Sequence, residues 1–198
     1  MKDTYKTIVA TSQGLYKEKG SKFIAFAYPV VTEDQIKEHI AALKEEYFDA
    51  RHHCYAYSLG ADKARFRMND DGEPSSTAGK PIYGQILSND LTDILVVVIR
   101  YFGGTKLGVP GLINAYKSAT ADAIANAEIV EKTVNAIFTI HFDYIVMNSV
   151  MKIVKECAPE VLDRKFENIC TMVLSIRESE AEELLSRLEK VETLTLIS

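Results

Sequence analysis

The chain has 198 residues, 47% of them hydrophobic and 26% charged, which is enough apolar surface for one medium and one small folded unit and argues against a disordered polypeptide. A formal net charge of −5 disfavours indiscriminate binding to duplex DNA, which depends on neutralising many phosphates. Three widely spaced cysteines, Cys54, Cys157 and Cys170, support neither a disulfide framework nor a zinc cluster.

Thr4 to Ala10 and Ser21 to Val31, rich in β-branched and aromatic residues around Gly14 and Gly20, predict two or three strands in an antiparallel meander. Thr32 is placed to cap a helix whose stripe is Ile36, Ile40, Leu43 and Tyr47. Strands are expected from Arg51 to Leu59 and from Arg65 to Met68, followed by the turn-rich loop Asn69 to Pro74. A short helix from about Lys80 to Leu87 would be capped by Ser75, Ser76 or Thr77. Asp93 to Phe102 is apolar on both faces, as in a central strand. After the glycine-rich turn from Gly103 to Gly111, a helix is expected from Val109 to about Ala127, with Pro110 near its first position.

From Val134 onward the pattern is strand, helix, strand, strand, helix, strand, the βαββαβ order of a ferredoxin-like unit. The last strand is expected over Val191 to Ile197. The overall expectation is an α+β protein divided into residues 1–130 and 131–198, with a boundary between Asn126 and Lys132. The acidic excess lies in the second part. From Glu131 there are 8 basic and 12 acidic residues, against 15 and 16 before it.

Candidate chemistry concentrates in the first part. A buried strand feeding a glycine turn and a helix start gathers backbone N–H donors, so Gly103, Gly104, Lys106 and an emerging Arg100 beside Tyr101 could hold an anion, although close packing would demand the same glycines. Asp70, Asp71 and Glu73 could ligate a hard cation or act as bases, but plain turn and capping chemistry is the favoured explanation, and neither a metal nor a cofactor is expected. Lys80 lies at a second helix start. Along the strand from Arg51, His53 shares a face with Tyr55 and Tyr57 that could stack on bases or be half-buried sheet, with Arg65 and Arg67 near it. His53 and Cys54 should face apart, so they form no nucleophile and base pair, and no hydrolase or metalloprotease template occurs.

Four segments in this order, Lys19 to Ala25, Arg51 to Tyr57, Asp70 to Ile82 and Val98 to Gly108, resemble the YigZ/IMPACT family, and the second part resembles the smaller domain of its bacterial members. The resemblance implies a first domain similar to domain IV of elongation factor G and a second similar to domain V. It further implies contact with RNA, the ribosome or a protein partner in translation; the residues singled out above, Arg51, His53, Tyr55, Lys80, Arg100, Tyr101, Gly103, Gly104 and Lys106, are where that contact is expected. An enzyme acting on a phosphorylated or anionic small molecule is the alternative. With no apolar run of about 18 residues and no signal-peptide pattern, the expected location is the cytoplasm, without membrane contact.

Overall fold

The computed structural model describes residues 3–197; the extreme ends of the two expected ranges, Met1, Lys2 and Ser198, lie outside them. The chain divides into two compact units, one of residues 5–132 and one of residues 133–197 together with Asp3 and Thr4.

In chain order the first unit contains β1 (Thr4–Ile8), β2 (Ser12–Glu18), β3 (Ser21–Pro29), α1 (Glu33–Glu46), β4 (His52–Leu59), β5 (Arg65–Asn69), α2 (Gly79–Ser88), β6 (Ile94–Tyr101), α3 (Gly108–Ala125) and β7 (Ile129–Thr133). Five strands form a sheet in the order β2-β3-β6-β4-β5, with every pairing antiparallel. β6 lies in its centre, and Ile94 to Ile99 are fully buried because both faces are covered. On one face Ile36 and Leu43 of α1 pack against Phe26, Tyr57, Leu95 and Val97. On the other, α2 and α3 cover Phe23, Ala25, Ala56, Val96 and Val98.

α1 begins where its sequence predicts. Thr32 accepts a hydrogen bond from the Gln35 N–H at 3.3 Å, and the Gln35 side chain accepts one from Val31 N–H, so each end of the turn satisfies a donor of the other. α3 closes on the sheet through small residues: a Cβ placed on Gly14 of β2 would lie 2.2 Å from the Ala123 nitrogen.

β1 departs from the expected meander. Only β2 and β3 form a hairpin there, whereas β1 pairs with β7 in a separate two-stranded sheet, and Val9 N–H donates to the Glu128 carbonyl. Ile8 turns inward to join the core under α2 and α3, which draws β1 away from the β2 edge. β7 had no signal of its own, because Ile129 to Thr133 is mostly exposed and carries no alternation of buried and exposed positions.

The second unit runs β8 (Asn135–Asp143), a 3-10 turn, α4 (Met147–Cys157), β9 (Glu160–Lys165), β10 (Ile169–Arg177), α5 (Glu178–Leu188) and β11 (Thr195–Ile197). Its antiparallel sheet has the order β11-β8-β10-β9, and Ile140, Phe142, Met172 and Leu174 pack beneath Val150, Leu184 and Leu188 of the helices. β11 is shorter than the expected Val191 to Ile197, because Val191 and Leu194 make turn hydrogen bonds after α5. Asp3 belongs to this unit: its carboxylate receives Arg177 Nε at 2.6 Å and Nη2 at 3.0 Å, and this pairing holds its pKa down at about 2.

Two glycines separate packing from propensity. Gly14→Ala should cost about 2–3 kcal/mol by forcing α3 off the sheet, while Gly84→Ala, at an open position of α2, should gain up to about 1 kcal/mol. Urea denaturation of both variants measures the contrast; equal effects would mean that α3 does not rest on β2 as described.

Candidate nucleic-acid interface

The loop between β5 and α2 distributes its acids among three tasks. The Asp70 carboxylate accepts from the Ser76, Ala78 and Gly79 N–H groups at 2.8, 3.0 and 2.8 Å, so it neutralises the positive end of α2. This replaces the expected capping by Ser75, Ser76 or Thr77; Thr77 instead donates its hydroxyl to the Pro74 carbonyl. Asp71 turns to β4, where it accepts from His53 N–H at 2.7 Å and lies 3.6 Å from Lys44. Glu73 points inward. Its Oε1 accepts from Arg100 Nη1 at 2.6 Å and from the Tyr116 hydroxyl at 2.7 Å, with the Glu73 side chain 3% and the Arg100 side chain 9% exposed. Among the described residues, no group of three His, Cys, Asp or Glu side chains is arranged to hold a metal ion.

Tyr116 ties this pair to α3, and the Cys54 thiol sits 3.4 Å from its hydroxyl while donating to the Asp70 carbonyl. Burial raises the pKa of both the Tyr116 phenol and the Cys54 thiol well above their usual values, so both stay protonated. The sequence marks Tyr116 only as a bulky polar residue in a helix face that also carries Ala115, Ala119 and Ala123.

His53, Tyr55 and Tyr57 lie on the α1 side of the sheet, where His53 and Tyr57 are buried and Tyr55 is half-buried. Burial lowers the His53 pKa, and Nδ1 is 4.0 Å from Asp71. Arg65 and Arg67 are exposed on the edge strand β5. Cys54 packs on the opposite face from His53, as strand alternation requires.

The glycine turn has two functions in two residues. A Cβ on Gly103 would stand 1.9 Å from the Gly20 carbonyl carbon, so Gly103 serves the close passage of β3 and the end of β6. Gly104 has φ +89° with open space around it, so it serves the backbone turn that presents Lys106 to solvent.

Three adjoining depressions follow this edge. The first, about 570 Å³, is lined by Asp49, Arg51, His52, Arg100, Tyr101 and Phe102. Arg100 is also in the wall of the second, about 350 Å³, with Glu73, Lys106 and the start of α3. Val109 joins the second to the third, about 400 Å³, which includes Ser75 to Thr77 and Lys80. Of the expected site residues, Arg51, Arg100, Tyr101, Lys106 and Lys80 therefore line this run of three depressions, the furrow, whose members share Arg100 and Val109, with Glu73 in the wall of the second; His53 and Tyr55 lie elsewhere. Phe102, 58% exposed, and Asp49 were not anticipated. The Arg100 guanidinium is flanked by Phe23 and Phe102, 5.6 and 5.7 Å from the ring centres.

The family model of the Impact N-terminal domain matches residues 19–124. An IMPACT family member of Haemophilus influenzae is 31% identical over 91% of this chain and 90% of its own length. The chain belongs to the IMPACT family. The IMPACT family member YigZ of Escherichia coli is 28% identical over 86% of this chain and 84% of its own. A solved structure described as a hypothetical protein is 25% identical, covers 100% of this chain and 98% of its own, and superposes with a TM-score of 0.75. Every residue named above as lining the furrow falls inside the matched IMPACT segment.

Removing one partner of the buried pair leaves the other charge uncompensated, so Arg100→Met or Glu73→Leu alone should destabilise the first unit by about 3–5 kcal/mol. The double variant should recover much of the loss in chemical denaturation; a double variant as unstable as the sum of the singles would contradict the coupling. Tyr101 donates to Asp49 at 2.7 Å, and this bond raises its pKa to about 12. Since the folded value lies above the ordinary value of about 10, the stabilisation is complete below pH 10 and lost as pH rises through about 12. In Asp49→Asn, ultraviolet titration should show one phenol returning towards pH 10.

Proposed function

We propose that the furrow binds RNA or an RNA-bearing ribosomal surface, in a regulatory rather than catalytic role. The observation that carries this reading is the charge arrangement: Arg51, Arg100, Lys106 and Lys80 line a run of three depressions that share the wall residues Arg100 and Val109, and the two carboxylates there, Asp49 and Glu73, already accept hydrogen bonds from Tyr101, Arg100 and Tyr116. The furrow therefore offers net positive charge to phosphates on a chain that is acidic overall. The first-turn N–H groups of α3 add donors at its middle. The antiparallel β-α architecture of the first unit, like domain IV of elongation factor G, and the βαββαβ order of the second, like a ferredoxin-like domain V, support a partner in translation by analogy of fold. Among the described residues no helix is long and apolar enough to cross a membrane.

Ribosome cosedimentation across a salt series tests the proposal. Binding should fall steeply with salt, and Arg51→Glu, Lys80→Glu and Lys106→Glu together should abolish it while thermal unfolding stays near that of the parent, because all three side chains are exposed. Each single Lys→Ala or Arg→Ala change should reduce the log–log salt slope by about one. Arg100 is excluded from the charge reversal, since a carboxylate there would face Glu73. Binding to neither ribosomes nor RNA at low salt, or turnover of a phosphorylated compound that depends on Glu73, would replace this reading with the enzymatic one.

A further inference from the structure

The furrow has two chemically distinct halves that meet at one side chain. Arg100 stands in the wall common to the first and second depressions. On one side Phe102 keeps more than half of its surface open, although the guanidinium lies 5.7 Å from its ring centre. On the other, Lys106 stands at the start of the eighteen-residue helix α3. The guanidinium is held rigidly: Nη1 donates to Glu73, Phe23 lies against it, and Nε, buried from solvent, has no acceptor among the described residues. Glu73 fixes Arg100 in place, so the boundary between the two halves does not depend on a bound partner.

An open aromatic face and a cationic helix start, separated by one residue, match the two chemistries of a single nucleotide, which carries a π face and a phosphate joined through one sugar. Volumes of about 570 and 350 Å³ leave ample room for a base and a phosphate without matching either by size. A base inside a duplex has no free face to stack, so only an unpaired nucleotide meets both halves together. We infer that the furrow seats one unpaired nucleotide of RNA, its base stacked on Phe102 and its phosphate between Lys106 and the first turn of α3. This deepens the RNA reading and rests on it.

The chain contains no tryptophan, so Phe102→Trp introduces a sole indole at the stacking position. A short unpaired oligouridylate should quench its fluorescence, whereas a blunt RNA duplex of equal length and inorganic phosphate should not; phosphate should instead compete with the oligonucleotide. Adding Lys106→Ala should weaken the quenching titration by about threefold to tenfold. Phe102→Ala in the parent should weaken binding of a fluorescently labelled oligouridylate by about fivefold to a hundredfold. Phe166→Trp, placed in the second unit, is the control and should report no quenching. Quenching equal in the control, or equal with duplex, would overturn the nucleotide seat. So would an unquenched Phe102→Trp protein whose parent still binds ribosomes, and in that case the broader RNA reading survives. A parent that binds no RNA of any kind removes both.

Discussion

The buried contact of Glu73 with Arg100 and Tyr116 is the constraint on which the rest of the first unit depends. It joins three segments far apart in the chain: the loop after β5, the end of the central strand β6 and the middle of α3. A carboxylate this deeply removed from water is stable only because its charge is matched by a guanidinium and a hydroxyl with good geometry. The same contact sets the position of Arg100, the side chain common to two depressions, and thereby gives the furrow its shape before anything binds. The fold and the proposed recognition surface share one group of residues, and a change there alters both.

The neighbouring acids show how local sequence can mislead about chemistry. Asp70, Asp71 and Glu73 lie within four residues of one another and read as a cluster, yet the turn sends each in a different direction: to a helix terminus, to a strand amide and to the core. Asp71 adopts a positive φ of 39°, and Gly72 follows at 87°, so the chain reverses between the second and third carboxylates. Their separation in space follows from this turn. Arg51, Lys80 and Lys106 stay exposed along this edge while Glu73 is buried, which is how a chain of net charge −5 presents cations there.

Features that depend on short-range pattern were legible in the sequence: the central strand β6 from its unbroken apolar run, α1 from Thr32 and its stripe, and the alternation of β8. Those set by distant partners were not. β7 has no pattern of its own and exists because β1 lies beside it. The cap of α2 comes from Asp70, nine residues before Gly79, outside the window in which capping residues are sought. In the site, the cations and the glycine turn were visible, but which aromatic group accompanies them was not. His53 and Tyr57 share strand alternation with exposed candidates, and only the packing of α1 buries them. Phe102, just past the end of β6, escapes that cover.

The ion pair of Asp3 with Arg177 has a consequence for how the polypeptide comes into being. The two residues are 174 positions apart, so Asp3 leaves the ribosome well before Arg177 is made. Residues 5–132 have all their own sheet partners and core available once they have been made, so they can fold while translation continues. Asp3 must wait. Its carboxylate and carbonyl meet Arg177 and Val134 only after the intervening unit has been completed, so an early-made segment is the last to be secured.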